Sequence, residues 1–112
     1  MKRLGALLSV IVLIFVAGIL YYTNLDKNYY ILDDLYGFPV PKNAELESED
    51  ENGKHYYWTA ASGDEGIPLS YKLMIKKSGW IEAERMGETG TFVKGNNTIY
   101  LQSSTDYIGI MK

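Results

Sequence analysis

The feature that most limits the fold of this chain is an apolar stretch near its N-terminus. No charged residue occurs between Arg3 and Asp26, and residues 4–22 read LGALLSVIVLIFVAGILYY. As a helix, these residues would span roughly 28 Å at about 1.5 Å each, which matches the hydrocarbon core of a bilayer. The sequence therefore predicts a transmembrane segment within residues 1–22, with the helix over residues 4–22.

The residues that flank this stretch predict its orientation. Lys2 and Arg3 precede it, and the positive-inside rule places them in the cytoplasm and the rest of the chain outside. A secretory signal peptide, cleaved to release the domain, is the alternative. The candidate cleavage site at residues 16–18 would leave an apolar new N-terminus, whereas Tyr21 and Tyr22 close the stretch as an interfacial aromatic belt does. We therefore expect an uncleaved signal anchor.

The apolar stretch also contains two small residues, Gly5 and Ser9, at a spacing of four. Small residues at this spacing let two membrane helices approach closely. The pattern predicts a weak homodimer through the transmembrane helix.

The composition of the remaining chain limits its partners. Once Lys2 and Arg3 are set apart, nine basic residues remain against fourteen acidic ones. An acidic domain is a poor ligand for nucleic acid, so we expect no nucleic-acid partner. Because the chain has no cysteine, its stability must come from an apolar core instead of disulfides.

Residues 23–43 are predicted to be a juxtamembrane helix followed by a linker. A short amphipathic helix is predicted over residues 24–36, and Gly37 is suited to end it. Four apolar residues lie at helical spacing in this segment: Leu25, Tyr29, Leu32 and Tyr36. Pro39 and Pro41 then favour an extended linker over residues 38–43.

Residues 44–112 are predicted to form an extracytoplasmic α+β domain. Pro68 suits the start of a helix and Gly79 its end, so a helix is expected over residues 68–78, with Ile67, Tyr71, Met74, Ile75 and Ser78 on its buried face. Strands are expected over residues 44–50, 54–61, 80–86, 91–94, 98–103 and 107–111. The order β-β-α-β-β-β predicts one small antiparallel sheet with one packed helix.

A resemblance adds to this prediction. The helix ends in KKSGW at residues 76–80, and a strand, a glycine-containing turn, a strand that ends at Phe92, Lys94 and Gly95, and two more strands follow. Residues 54–112 thereby resemble small extracytoplasmic domains of bacterial lipoproteins and membrane-anchored envelope proteins. The resemblance implies binding or structural work at the cell envelope and supplies no catalytic residues. The chain differs from the lipoproteins because it has no cysteine to carry a lipid.

The residue types argue against an enzyme. Nucleophilic catalysis needs a nucleophile, a base and an orienting group, but the chain has one histidine, His55, and no cysteine. No Cys/His cluster suits zinc, and the carboxylates of residues 45–51 alternate along a strand, whereas calcium ligands converge in a loop. We therefore expect no catalytic residues, no metal and no cofactor.

Two groups of residues are candidate binding sites. If Asn52 and Gly53 formed the turn of a hairpin, Glu49 would face Tyr56, and Glu47 would face Trp58. One side of the hairpin would then suit a cationic ligand, and its members are Glu45, Glu47, Glu49, Tyr56 and Trp58. In the alternative, Tyr56 and Trp58 lie in the core and the glutamates at its rim.

The second group is Leu69 and Leu73, which lie one turn apart on the helix face opposite its buried side. Three interpretations are open: the juxtamembrane helix covers them, they are ordinary exposed leucines, or a partner docks there.

These features favour a non-enzymatic interaction module. It would be anchored in the cytoplasmic membrane of a bacterium through residues 4–22 and would bind an envelope protein or a cationic wall ligand outside. The alternative is an inhibitor or immunity-type protein that masks a secreted toxin or hydrolase, for which an acidic surface is suited.

Overall fold

The computed structural model describes residues 2–63 and 66–112. Its first element is the long helix α1, and a shorter helix, α2, follows the fourth of eight strands. The elements are α1 (Lys2–Thr23), β1 (Tyr29–Leu32), β2 (Phe38–Pro41), β3 (Glu45–Glu49), β4 (Gly53–Tyr57), α2 (Leu69–Lys77), β5 (Ile81–Met86), β6 (Thr89–Lys94), β7 (Asn97–Ser104) and β8 (Tyr107–Met111). Short 3₁₀ turns at Leu25–Asn28 and Asp33–Leu35 flank β1.

The strands form two sheets. The larger one is antiparallel with the strand order β3-β4-β8-β7-β6-β5, and β1 and β2 form a separate two-stranded ribbon. The predicted α+β class is confirmed, as are the helix over α2 and the hairpins of the C-terminal half. The ribbon of β1 and β2 was not predicted.

One layer packs against one face of the larger sheet, and it consists of α2 and the ribbon. The predicted buried face of α2 is confirmed for Tyr71, Met74 and Ile75, which are at most 4% exposed. The sheet contributes alternate residues to the same core, among them Phe92, Ile99, Leu101, Ile108 and Ile110. Ring contacts cross the layers, since Phe38 of β2 packs edge-on against both Trp80 and Phe92.

The helix predicted over residues 24–36 is wrong, because this segment contains the strand β1. Tyr36 and Gly37 have φ angles of +57° and +79°, and this left-handed pair reverses the chain into a hairpin with β2. The residues that enter the core also differ from the predicted helical face, since Leu35 is buried whereas Tyr36 is exposed.

The linker predicted over residues 38–43 is also wrong over its first part. Every residue of β2 is buried, and the Tyr71 hydroxyl donates a hydrogen bond of 2.7 Å to the Pro39 carbonyl oxygen. Both prolines fit a two-stranded ribbon, because a strand with one free edge tolerates missing N–H groups there. Residues 25–41 therefore complete the core of the folded domain.

The first helix is long, apolar and exposed. Its apolar side chains are exposed along the whole length of α1, and none of its candidate spanning window is buried against the domain. By length and composition, Arg3–Thr23 is suited to cross a membrane.

Candidate functional site

The first predicted binding surface depends on the register of β3 and β4, and the predicted register is wrong. Glu49 lies opposite Lys54, and Asp50 donates its backbone N–H to the Gly53 carbonyl oxygen at 2.9 Å. The two central turn residues are therefore Glu51 and Asn52. The Asp50 carboxylate stabilises the turn by accepting hydrogen bonds from the backbone N–H groups of residues 52 and 53.

Gly53 lies in β4, opposite Met111 of β8, and this position explains why it is glycine. A Cβ atom there would lie 2.8 Å from the Met111 Cα and even closer to the Ile110 carbonyl oxygen. The sequence pattern Asn-Gly is typical of a tight turn. Here the glycine instead permits close approach of two backbones.

The structure does not bring the five predicted cation-site residues together on one exposed surface. Tyr56 and Trp58 are 6% and 5% exposed and belong to the core, as in the alternative interpretation. Glu45 lies opposite Tyr57, and Glu47 occupies the irregularity where the register shifts between residues 46 and 48. Glu49 is 3.7 Å from Lys54, whose ammonium group also pairs with Asp34.

His55 contacts Tyr107 on the same sheet. The His55 Nδ1 atom and the Tyr107 hydroxyl are 2.6 Å apart, and the two rings stack at 6.0 Å between centroids. Burial raises the pKa of the Tyr107 phenol, and the nearby Glu47 carboxylate raises it further. Gly109 lies beneath the pair and leaves room for it. Within residues 2–63 and 66–112, no three His, Cys, Asp or Glu side chains are grouped as metal ligands are.

The two predicted docking leucines lie in different environments. Leu69 is 70% exposed, whereas Leu73 is partly buried against the core. The predicted juxtamembrane helix does not cover them, because residues 25–28, which precede β1, form a single 3₁₀ turn beside α2. They therefore do not form one apolar surface.

A concave surface lies where α1 meets the domain, and we call it the basal cleft. It has a volume of about 470 Å³. Its walls come from the last turn of α1, the ribbon, the end of β4 and the start of α2, and they include Tyr21, Tyr29, Lys42, Trp58 and Ser70.

Polar groups in the basal cleft are held by specific contacts. The Trp58 indole N–H donates to the Asn43 side-chain oxygen at 3.0 Å, which positions an amide at the wall. Burial raises the pKa of the Tyr29 phenol, although its hydrogen bond with Ser70 opposes that shift. The Lys42 ammonium lies 5.4 Å from the centroid of the Tyr30 ring. The cleft thus combines aromatic walls with amide, hydroxyl and ammonium groups, as ligand sites commonly do.

Lys77 joins the end of α1 to the domain beside this cleft. Its ammonium group donates to the Tyr22 carbonyl oxygen at 2.7 Å and pairs with the Asp26 carboxylate. The hydrogen bond with Lys77 is the main cause that lowers the pKa of Asp26. Leu25, between these two partners, is only 2% exposed. The connection between α1 and the domain is therefore part of the folded core.

Sequence reasoning missed both the basal cleft and the Lys77 contacts. Their residues come from segments that are far apart in the chain, and no local spacing relates Tyr21 to Trp58 or Tyr22 to Lys77. The paired tyrosines at the end of the apolar stretch were the available signal, because aromatic residues concentrate at the membrane–water interface.

No protein-family model, curated protein or solved structure matches the chain. The resemblance to envelope domains therefore rests on the residues alone.

Proposed function

We propose that this protein is a membrane-anchored interaction module that acts at the outer surface of the cytoplasmic membrane of a bacterium. α1 is the anchor, Lys2 and Arg3 stay in the cytoplasm, and the domain lies outside. The exposed apolar surface of α1, which continues directly into the core at Leu25, is the observation that carries this proposal.

The direct connection determines where the domain would act. A flexible stalk would let the domain sample a wide volume, whereas a core-packed junction holds it close to the lipid headgroups. Because Tyr21 belongs to both α1 and the basal cleft, an anchored domain presents this cleft at the level of the membrane interface. The ligand is then an envelope protein segment or wall component that lies close to the membrane, where anchoring raises its effective concentration.

The absence of cysteine makes the orientation directly testable. Single Glu51→Cys and Leu13→Cys variants are exposed to a membrane-impermeant maleimide on intact cells. Glu51→Cys is expected to be labelled on intact cells, and Leu13→Cys only after detergent is added. Labelling of Glu51→Cys only after cell lysis would place the domain in the cytoplasm and contradict the proposal.

The ligand site is tested by photo-crosslinking from the full-length chain in its membrane. A photoreactive residue at Ala60, beside the basal cleft, is expected to give one reproducible product. The matched control is Thr98, which lies on β7. Equal products from both positions, or none from Ala60, would argue against a ligand in the cleft.

A second candidate function is favoured by the acidic edge of the sheet. All five carboxylate residues of β3 and its turn are exposed: Glu45, Glu47, Glu49, Asp50 and Glu51. Such a surface suits a basic enzyme, so masking of a secreted toxin or hydrolase is the alternative. The double variant Glu47→Lys/Glu49→Lys separates the two functions. It would abolish binding of a basic enzyme, whereas crosslinking of a ligand from the basal cleft would be unchanged.

A further inference from the structure

The two edge strands of the larger sheet differ in their ability to pair with another chain. Within the described part of the molecule, β3 and β5 each pair with one neighbouring strand only. Every residue of both strands is exposed. An edge with free backbone N–H and C=O groups is a template for a further strand unless its side chains oppose the pairing.

A bulge in β5 determines which of its side chains share a face. Glu82 lies opposite Phe92 and Arg85 opposite Gly90, and the register shifts by one residue between Glu82 and Glu84. Without the shift, residues 82 and 85 would point to opposite faces. With it, both lie on the face that carries α2, and both line one small cavity there.

The other face of β5 carries its two large apolar side chains. Ile81 lies opposite Val93 and Met86 opposite Thr89, on the face turned away from α2. Ile81 is 68% exposed and Met86 is 72% exposed. On the α2 side, neither Glu82 nor Arg85 forms an ion pair with any described residue.

We propose that β5 pairs with β5 of a second copy of this chain, antiparallel and edge to edge. Centred between Ala83 and Glu84, this pairing places Glu82 opposite the second copy's Arg85 on the α2 face. It also places Ile81 opposite the second copy's Met86 on the other face. The two-fold symmetry repeats each contact, so the dimer contains two ion pairs and two apolar pairs, each of a kind that stabilises neighbouring strands.

The symmetry of this pairing is compatible with a shared membrane. A two-fold axis that relates antiparallel strands of one sheet is perpendicular to the sheet, so both α2 layers lie on the same side of the joined sheet. In each copy α1 ends against that layer, through the contact between Lys77 and Tyr22. The domain-proximal ends of both anchors therefore lie on the same side of the joined sheet.

The other edge strand does not have this self-complementarity. Antiparallel pairing of two copies of β3 can form no ion pair within the strands, because its charged residues, Glu45, Glu47 and Glu49, are all acidic. Like charges directly opposite each other destabilise a strand pair. The dimer is therefore specific to β5.

Pairing of six residues is a small interface, and such contacts are weak between molecules in free solution. Confinement of both copies to one membrane raises their effective concentration. The expected strength of the β5 dimer therefore rests on the proposed anchoring. The register of the dimer does not depend on it.

The test uses full-length chains that carry Ala83→Cys and two different epitope tags, in native membranes. In the proposed register the two residues at position 83 are diagonal neighbours with Cα atoms about 6 Å apart, within reach of a short bifunctional maleimide. Glu82→Arg alone and Arg85→Glu alone each place like charges opposite each other. Each is expected to lower the crosslinked fraction about tenfold.

Three results follow from the proposed register. Co-expression of the Glu82→Arg chain with the Arg85→Glu chain restores a crosslink between the two tags, because opposite charges again face each other. The double variant Glu82→Arg/Arg85→Glu restores the homodimer. Glu47→Arg, a control with the same change of charge on β3, leaves the yield unchanged.

Other outcomes would overturn the β5 dimer. These are an absent crosslink at position 83, equal yields from the parent and both single charge reversals, or no restoration on co-expression. Loss of the crosslink through Gly5→Leu with no effect of charge reversal would assign dimerisation to α1. Membrane fractionation of the same samples reports on anchoring separately, so failure of the dimer and failure of the proposed function are distinguishable.

Discussion

The Lys77 ammonium group donates a hydrogen bond of 2.7 Å to the Tyr22 carbonyl oxygen, which joins the last turn of α1 to the last turn of α2. The same ammonium group lies 4.9 Å from the centroid of the Tyr22 ring and pairs with Asp26. The last four carbonyl groups of a helix lack partners within the helix. Lys77 donates a hydrogen bond to one of these carbonyl groups. This contact helps to hold the domain at a defined position relative to α1.

Lys77→Met is therefore expected to loosen the junction without unfolding the domain. The variant keeps the length and apolar stem of the side chain but loses the hydrogen bond and the ion pair. Limited proteolysis of membranes should show several-fold faster cleavage within residues 23–28, with the fragments of the domain unchanged. Lys76→Met is the matched control, because Lys76 neighbours Lys77 on α2 but is exposed and has no ion pair among the described residues. Equal cleavage rates in the two variants would show that Lys77 does not secure the junction.

Tyr71→Phe is expected to lower the free energy of unfolding by about 1–2 kcal/mol at neutral pH, because it leaves the buried Pro39 carbonyl group without its donor. Urea unfolding in detergent, followed by tryptophan fluorescence, measures this difference.

The deficit of Tyr71→Phe should shrink at alkaline pH. Complete burial raises the pKa of the Tyr71 phenol well above its ordinary value of 10.0. Its contribution to stability is therefore fully present below pH 10.0 and decreases as the pH rises further, because the unfolded chain ionises there while the folded one does not. Phenylalanine cannot ionise, so the two chains should converge above that pH. An equal deficit at pH 7 and pH 11 would contradict this account.

Gly53→Ala is expected to destabilise the domain by about 1–3 kcal/mol, because the new Cβ atom would force β4 and β8 apart. The control is Asn52→Ala in the adjacent turn, where the side chain is exposed and the expected change is within about 0.5 kcal/mol. Urea midpoints of the two variants measure the difference. Equal midpoints would show that β4 and β8 tolerate a Cβ atom at residue 53, and would contradict this account.

Gly53 also shows why part of the fold could not be predicted from sequence. The pattern Asn-Gly signals a turn through local backbone freedom, but Gly53 meets Met111, which is remote in sequence. In contrast, α2 and β7 were predicted correctly because their burial follows local periodicity, as for Tyr71 on the helix and Ile99 on the strand. The periodicity of apolar residues predicts the buried side of a helix or strand when that element buries a single face.

The helix prediction for residues 24–36 failed for a related reason. Leu25 and Tyr29 are four residues apart, as in a helix, and both are buried. They nevertheless reach the core from a 3₁₀ turn and a strand, because the left-handed pair at Tyr36 and Gly37 favours a hairpin. The basal cleft depends on this hairpin, so a sequence prediction that lacks the ribbon also lacks the cleft.

The central claim is that the domain is held directly against the membrane with the basal cleft at the level of the headgroups. A fluorophore attached to Lys42→Cys, in the cleft, or to Tyr100→Cys tests this claim. Tyr100 lies on the sheet face turned away from α2, since its neighbours Ile99 and Leu101 are buried on the other face. With nitroxide-labelled headgroups in the bilayer, we expect strong quenching at Lys42→Cys and weak quenching at Tyr100→Cys. Equal quenching at the two positions, or none at Lys42→Cys, would contradict the claim.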